Sequence, residues 1–138
     1  MLIHIREDNI GIRNDASVAD LLQSILKTES PVDRDKEHFW TIGLNTRNVV
    51  KYIDLTSLGT LNASLVHPRE VFRLAIMKGV ANIVIGHNHP SGNTEPSEED
   101  IRLTRRLIEA GRILGIEVLD HIIVTGNNHL SFKASGLF

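Results

Sequence analysis

Two histidines one residue apart, His87 and His89, close the apolar run ANIVIGH and open the stretch HNHPSGNTEPSEED. On a strand, side chains at i and i+2 leave the same face, so both imidazoles can aim at one point. Pro90, Ser91 and Gly92 then turn the chain, and Pro96-Ser97 starts a helix whose first turn carries Asp100 back toward the strand end. Two imidazoles and a carboxylate supply three metal ligands and leave the fourth position of a zinc ion for water. Catalytic centres are built this way, whereas structural zinc sites are closed by four protein ligands. Ser97-x-x-Asp100 also reads as a plain helix start, with Ser97 as cap and Glu98, Glu99 and Asp100 answering the helix dipole. That reading holds as far as it goes, but it leaves both histidines unexplained.

The rest of the composition narrows the chemistry. The chain has 138 residues, about one domain's worth and enough to bury a hydrophobic core. It has no cysteine, so disulfides, thiolate nucleophiles and cysteine-ligated metals are excluded. Any metal must be held by imidazole and carboxylate, which suits zinc and several other divalent ions. The net charge of −2 exerts no global pull on nucleic acid or an anionic membrane. No apolar run approaches the roughly 20 residues of a membrane span. The start MLIHIREDN lacks a signal-peptide layout, so a cytoplasmic location is expected.

The elements that must position these groups follow from periodicity. Ser17 can cap a helix whose apolar positions Val18, Leu21, Leu22, Ile25 and Leu26 share one face, and Pro31 ends it. EHFWTIGL (37–44) and VVKYIDLT (49–56) read as a strand hairpin around NTRN, and residues 57–66 as loop or short strand. A helix runs from Pro68 to Gly79 with Val71, Phe72, Ala75 and Ile76 inward, and ANIVIGH (81–87) is a strand buried on both faces. The helix from Ser97 to about Leu114 buries Ile101, Thr104, Leu107, Ile108, Gly111 and Leu114, with Arg102, Arg105, Arg106 and Glu109 outward. IEVLDHIIVT (116–125) and HLSF (129–132) form a last hairpin across GNN. The pattern predicts an α/β domain in which a mixed β-sheet is flanked by helices.

Other histidine-rich motifs fit less well. The H-x-H-x-D-H of metallo-β-lactamase-like hydrolases fails at Ser91, and the zinc deaminase pattern requires cysteines. In a cupin-like reading Glu95 is too distant, and a strong helix follows directly. The full string, H-x-H, seven residues, Ser, two residues, Asp, resembles the JAMM signature of JAB/MPN+ metalloproteases. HNHPSG, PS, LTRRL, VLDHIIV and TLNASLVHPREVFRLAI together are similar to its RadC branch, over roughly residues 33–133.

The resemblance implies a deaminase-like JAB/MPN fold in a single RadC-like domain, with residues 1–30 as an N-terminal helical extension of a core at 33–133. It implies one zinc per chain on His87, His89 and Asp100. It also implies hydrolysis of a peptide or isopeptide bond by metal-activated water, with Ser97 hydrogen-bonding the tetrahedral intermediate. The catalytic Glu of an early strand maps onto Glu37; Glu70 is the next candidate. The substrate is a peptide or protein whose identity the chain does not state.

Two other classes stand beside the hydrolase: a DNA-associated repair or recombination accessory, and a metal-binding scaffold without catalysis. Longer members of the branch carry an N-terminal helix-hairpin-helix-like region. Residues 1–30 hold one helix, and Arg102, Arg105 and Arg106 alternate with Glu109 as a solvated face, so no specific nucleic-acid binding is expected. Asp120-His121 is expected as a hydrogen-bonded pair in the sheet. His4, His38, His67 and His129 are expected at the surface or at helix caps.

Overall fold

The computed structural model of the chain describes residues 2–3, 11–59 and 66–138. Residues 60–65, part of the stretch expected as loop or short strand, and His4 lie outside the described residues. A six-stranded sheet is ordered β1-β3-β2-β4-β5-β6, with β1 Leu2–Ile3, β2 Glu37–Leu44, β3 Val50–Gly59, β4 Asn82–Asn88, β5 Glu117–Val124 and β6 His129–Ser131. Neighbours pair antiparallel except β4 with β5, which run parallel and are joined by α4 (Glu98–Leu114). The sheet is therefore mixed, with helices against it, the α/β architecture that the sequence pattern predicts.

Each face of the sheet is covered by its own layer. On one face, α1 (Asp15–Lys27) lays Val18, Ala19, Leu22 and Leu26 against Trp40, Ile42, Leu44, Val84 and Ile122. The helix expected as an extension is thus an integral layer of the core. It approaches β4 so closely that a Cβ at Gly86 would collide with a terminal methyl of Leu22. On the opposite face, α3 (Pro68–Lys78) and α4 bury Phe72, Ala75, Leu103 and Leu107 against Phe39, Ile83, Ile85 and Val118. Truncating a fully buried residue such as Leu107 to Ala is expected to cost ~2–5 kcal/mol.

Several local details differ from the sequence expectation. Asn14, not Ser17, caps α1: its Oδ1 accepts the Ser17 N–H at 3.0 Å, so the helix begins two residues before Ser17. The helix ends at Lys27, and Pro31 instead starts a short helix, α2 (Pro31–Arg34), capped by Ser30. The Arg34 guanidinium then donates to the carbonyls of Leu26, Lys27 and Glu29, closing the C-terminus of α1. Ile76 and Leu114 are exposed, while Leu103 is buried in their stead. The sheet lies slightly further round each helix than the apolar stripe suggests.

Candidate metal centre

The antiparallel register of β2 and β4 pairs Phe39 with His87, and cross-strand partners share a face. His87 and Phe39 therefore face the α4 side, and Glu37, two residues before Phe39 on β2, lines the same cavity as His89. His87 is buried and His89 partly exposed. Past the strand, the Gly92 N–H bonds the His89 carbonyl at 3.1 Å, a turn that holds Gly92 at φ 88, where a side chain would be strained. The chain then reaches the capping box of α4. Asp100 N–H donates to Ser97 Oγ at 3.0 Å, and Ser97 N–H to Asp100 Oδ2 at 2.9 Å. That reciprocal pair fixes the Asp100 carboxylate on the side of the histidines.

Three ligand groups meet there. His87 Nε2 lies 2.9 Å from His89 Nε2 and 3.3 Å from Asp100 Oδ1, and His89 Nε2 lies 3.2 Å from Asp100 Oδ2. Bonds of about 2.0–2.2 Å to a tetrahedral zinc give ligand–ligand edges of roughly 3.3–3.6 Å. The contacts between neighbouring ligand groups, 2.9–3.3 Å, are already close to that size. His89 Nδ1 lies 2.7 Å from the Asn93 carbonyl, which can only accept. His89 thus carries a proton on Nδ1 and turns Nε2 toward the other two ligands. This His-His-Asp group can bind a metal ion.

The electrostatics favour a cation at that point. For Asp100, burial alone would raise the carboxyl pKa, but its hydrogen bonds to His87 and His89 prevail and hold it well below the usual range. His89 is raised, chiefly by its bond to Asp100 against its own burial. Burial pushes His87 down, with Asp100 opposing. A carboxylate that stays ionised beside two convergent ring nitrogens is a donor set suited to a divalent cation.

The remaining candidate residues share one cavity of about 510 Å³, lined by Glu37, Phe39, Ser97 and the three ligands. The structure thus brings Glu37 and Ser97 beside the metal group. Glu70 stands in the first turn of α3 and does not line this cavity. His67 caps that helix, its Nδ1 accepting the Arg69 N–H at 3.0 Å. His129 is half-buried and lies 3.1 Å from Asp15.

Two expectations around the site, for His38 and for the Asp120–His121 pair, are changed or refined by the structure. His38 is fully buried, not a surface residue. It stacks on Trp40, with Nε2 2.6 Å from Glu29 and Nδ1 2.8 Å from the Lys36 carbonyl. Asp120 and His121 are a hydrogen-bonded pair, the His121 backbone N–H donating to Asp120 Oδ1 at 2.8 Å, but their side chains part. Asp120 Oδ2 accepts the Ser131 hydroxyl at 2.5 Å and Oδ1 the Lys133 N–H at 3.0 Å, whereas the His121 ring points to the other face. There, fully buried, it puts Nε2 2.6 Å from His87 Nδ1 and Nδ1 2.6 Å from Thr104 Oγ1. Burial, and next to it the neighbouring His87, hold the His121 imidazole well below its ordinary pKa. The third residue missed is Asn88, whose side-chain oxygen accepts the His38 N–H at 2.6 Å and whose amide donates to the Lys36 carbonyl at 3.0 Å. It clamps the backbone on both sides of Glu37.

Comparison with known proteins identifies the family. A family model described as the RadC-like JAB domain matches residues 12–137. A UPF0758 protein of Desulforamulus reducens is 49% identical over 131 residues, covering 95% of this chain and 56% of its own length. One from Desulforudis audaxviator is 55% identical over 104 residues, covering 75% of this chain and 45% of its own. One from Caldanaerobacter subterraneus subsp. tengcongensis is 41% identical over 138 residues, covering all of this chain and 57% of its own. The chain thus spans about half the length of these curated relatives. Among the described residues, no helix is long and apolar enough to cross a membrane. With the family model matching nearly end to end and the His-His-Asp group in place, the chain belongs to the RadC-like JAB domain family.

Proposed function

We propose that this chain is a zinc-dependent hydrolase that cleaves an amide bond, peptide or isopeptide, in a protein or peptide substrate. The observation that carries the proposal is the convergence of His87 Nε2, His89 Nε2 and Asp100 on one point at the edge of a cavity that Glu37 and Ser97 also line. Zinc held by His87, His89 and Asp100 would lower the pKa of water toward ~7 and polarise a carbonyl. Glu37 takes the proton of the attacking water and delivers it to the leaving amine. Ser97 accepts the Asp100 N–H through its oxygen, which leaves its hydroxyl proton for the oxygen of the tetrahedral intermediate. Phe39 and Leu103 supply the apolar wall of the cavity and limit water around the reacting groups.

Glu37→Gln tests the reading, because the amide keeps the size of the side chain and removes the base. Zinc-loaded parent is expected to cleave members of a peptide and isopeptide library. The variant should retain zinc and fold and lose most of that turnover. Equal turnover by both proteins would remove Glu37 from the mechanism. A zinc-loaded parent that cleaves nothing across the library would favour a binding scaffold.

A further inference from the structure

The His87 ring nitrogen that faces away from the ligand group is held by a chain of hydrogen bonds that begins on the Asp100 backbone, while its other ring nitrogen faces the Asp100 carboxylate. The Thr104 hydroxyl lies 2.7 Å from the Asp100 backbone carbonyl and 2.6 Å from His121 Nδ1. His121 Nε2 lies 2.6 Å from His87 Nδ1, and His87 Nε2 faces the Asp100 carboxylate at 3.3 Å. All three intermediate side chains are buried, at 1%, 0% and 1% exposure for Thr104, His121 and His87. Water therefore does not complete these contacts.

The direction of the chain is set at one end. A carbonyl oxygen only accepts, so the single Thr104 hydroxyl proton goes to Asp100. Thr104 Oγ1 must then accept from His121 Nδ1–H. The reverse would leave Oγ1 and the carbonyl oxygen 2.7 Å apart with no proton between them. Phe132 stacks on His121 at 4.4 Å between centroids, Phe39 meets it edge-on at 5.9 Å, and neither ring nitrogen touches a carboxylate. With no carboxylate within hydrogen-bond reach of either ring nitrogen, the sealed ring is the neutral imidazole with one proton. With that proton on Nδ1, its Nε2 is an acceptor, and His87 Nδ1 must donate to it.

We propose that Thr104 and His121 are positioning residues that set the tautomer of His87, holding its proton on Nδ1 so that the bare Nε2 lone pair faces the metal. The proposal rests on the metal-centre reading of His87, His89 and Asp100. His89 obtains the same tautomer directly from the Asn93 carbonyl. His87 is too deep in the sheet for a loop carbonyl to reach, and a relay through β5 and α4 does the same task. Because the relay starts on the backbone of Asp100, it also ties the ligand from α4 to the ligand from β4. Outer partners of metal-bound histidines are usually carboxylates, carbonyls or water. A neutral imidazole orients its ligand as they do without adding a negative charge.

Thr104→Val removes the hydroxyl at nearly constant volume, and Thr104→Ser retains it. Zinc competition against a chromophoric chelator is expected to show affinity falling by about 10- to 100-fold in Thr104→Val and close to parent in Thr104→Ser. Histidine-¹⁵N-labelled, metal-free parent at mildly alkaline pH is expected to show His87 and His121 both protonated on Nδ1. This second measurement needs no variant. A folded Thr104→Val that binds zinc as the parent does overturns the relay, as does a parent spectrum with His87 protonated on Nε2. If the parent binds no divalent metal, the metal-centre reading fails, and the spectrum still decides the tautomer. If it binds metal with the opposite tautomer, only the relay fails.

Discussion

Asn88 and His38 stand on adjacent strands 50 residues apart in sequence, and the Asn88 side-chain oxygen accepts the His38 backbone N–H at 2.6 Å. Its amide nitrogen also donates to the Lys36 carbonyl, so a side chain continues the ladder where β4 has no further backbone to offer. Glu37, bracketed by these bonds, enters the cavity from a fixed backbone.

Asn88→Ala is expected to leave a buried N–H without its partner and to cost about 1–3 kcal/mol, read by chemical denaturation of metal-free protein. Zinc content should stay near parent, since no ligand is touched, while turnover falls because Glu37 is released. Unchanged stability together with unchanged turnover would show that the clamp has no function.

Ser97 is expected to have two separable roles. As the α4 cap it contributes ~1 kcal/mol, so Ser97→Ala should lower stability by about that amount. As an oxyanion donor it should contribute at least ~10²-fold to kcat. A loss of stability at unchanged kcat would leave only the cap.

Metal affinity should fall with acidity. The His89 pKa is raised by its bond to Asp100. Protonation fills the ring nitrogen that a metal needs, so protons compete already above the ordinary histidine range of ~6.5. Calorimetry in buffers of different ionisation enthalpy should show protons released on zinc binding at mildly acidic pH, below the ionisation of zinc-bound water, and more as pH falls. A proton count of zero throughout would contradict the assignment of His89 as a ligand.

The arginines of α4 are expected to give no specific duplex binding. Arg102, Arg105 and Arg106 are exposed, but Glu109 pairs with Arg112 at 2.7 Å on the same helix. Filter binding at increasing salt checks this. Nanomolar affinity at physiological salt with a steep salt dependence would show that the helix is a nucleic-acid face.

Much of the site was legible because it is local. His87 and His89 are two residues apart on one strand, and Ser97 and Asp100 lie in one helical turn, so simple periodicities brought them together. The elements β2, α3, β4 and α4 carry clear markers, such as Pro68 and Gly79 at the ends of α3. His121 was not legible for a specific reason. The register of β4 with β5 shifts between Ile83 and Val84, whose partners are Val118 and Asp120. That bulge lets Val118 and His121, three residues apart, share the α4 face, whereas strict alternation would turn His121 toward α1. His38 and Asn88 escaped because their partners lie 9 and 50 residues away. Asn14 escaped because Ser17 offers an equally good cap to an apolar stripe that begins at Val18.

The central claim is that His87, His89 and Asp100 together hold one metal. Elemental analysis by mass spectrometry of protein purified without added metal, then of the same protein stripped and reloaded with zinc, tests it most directly when His89→Ala and Asp100→Ala are carried through in parallel. The account predicts one zinc per parent chain and little in either variant. Near-stoichiometric zinc in both variants, or a reloaded parent that holds none, would contradict it.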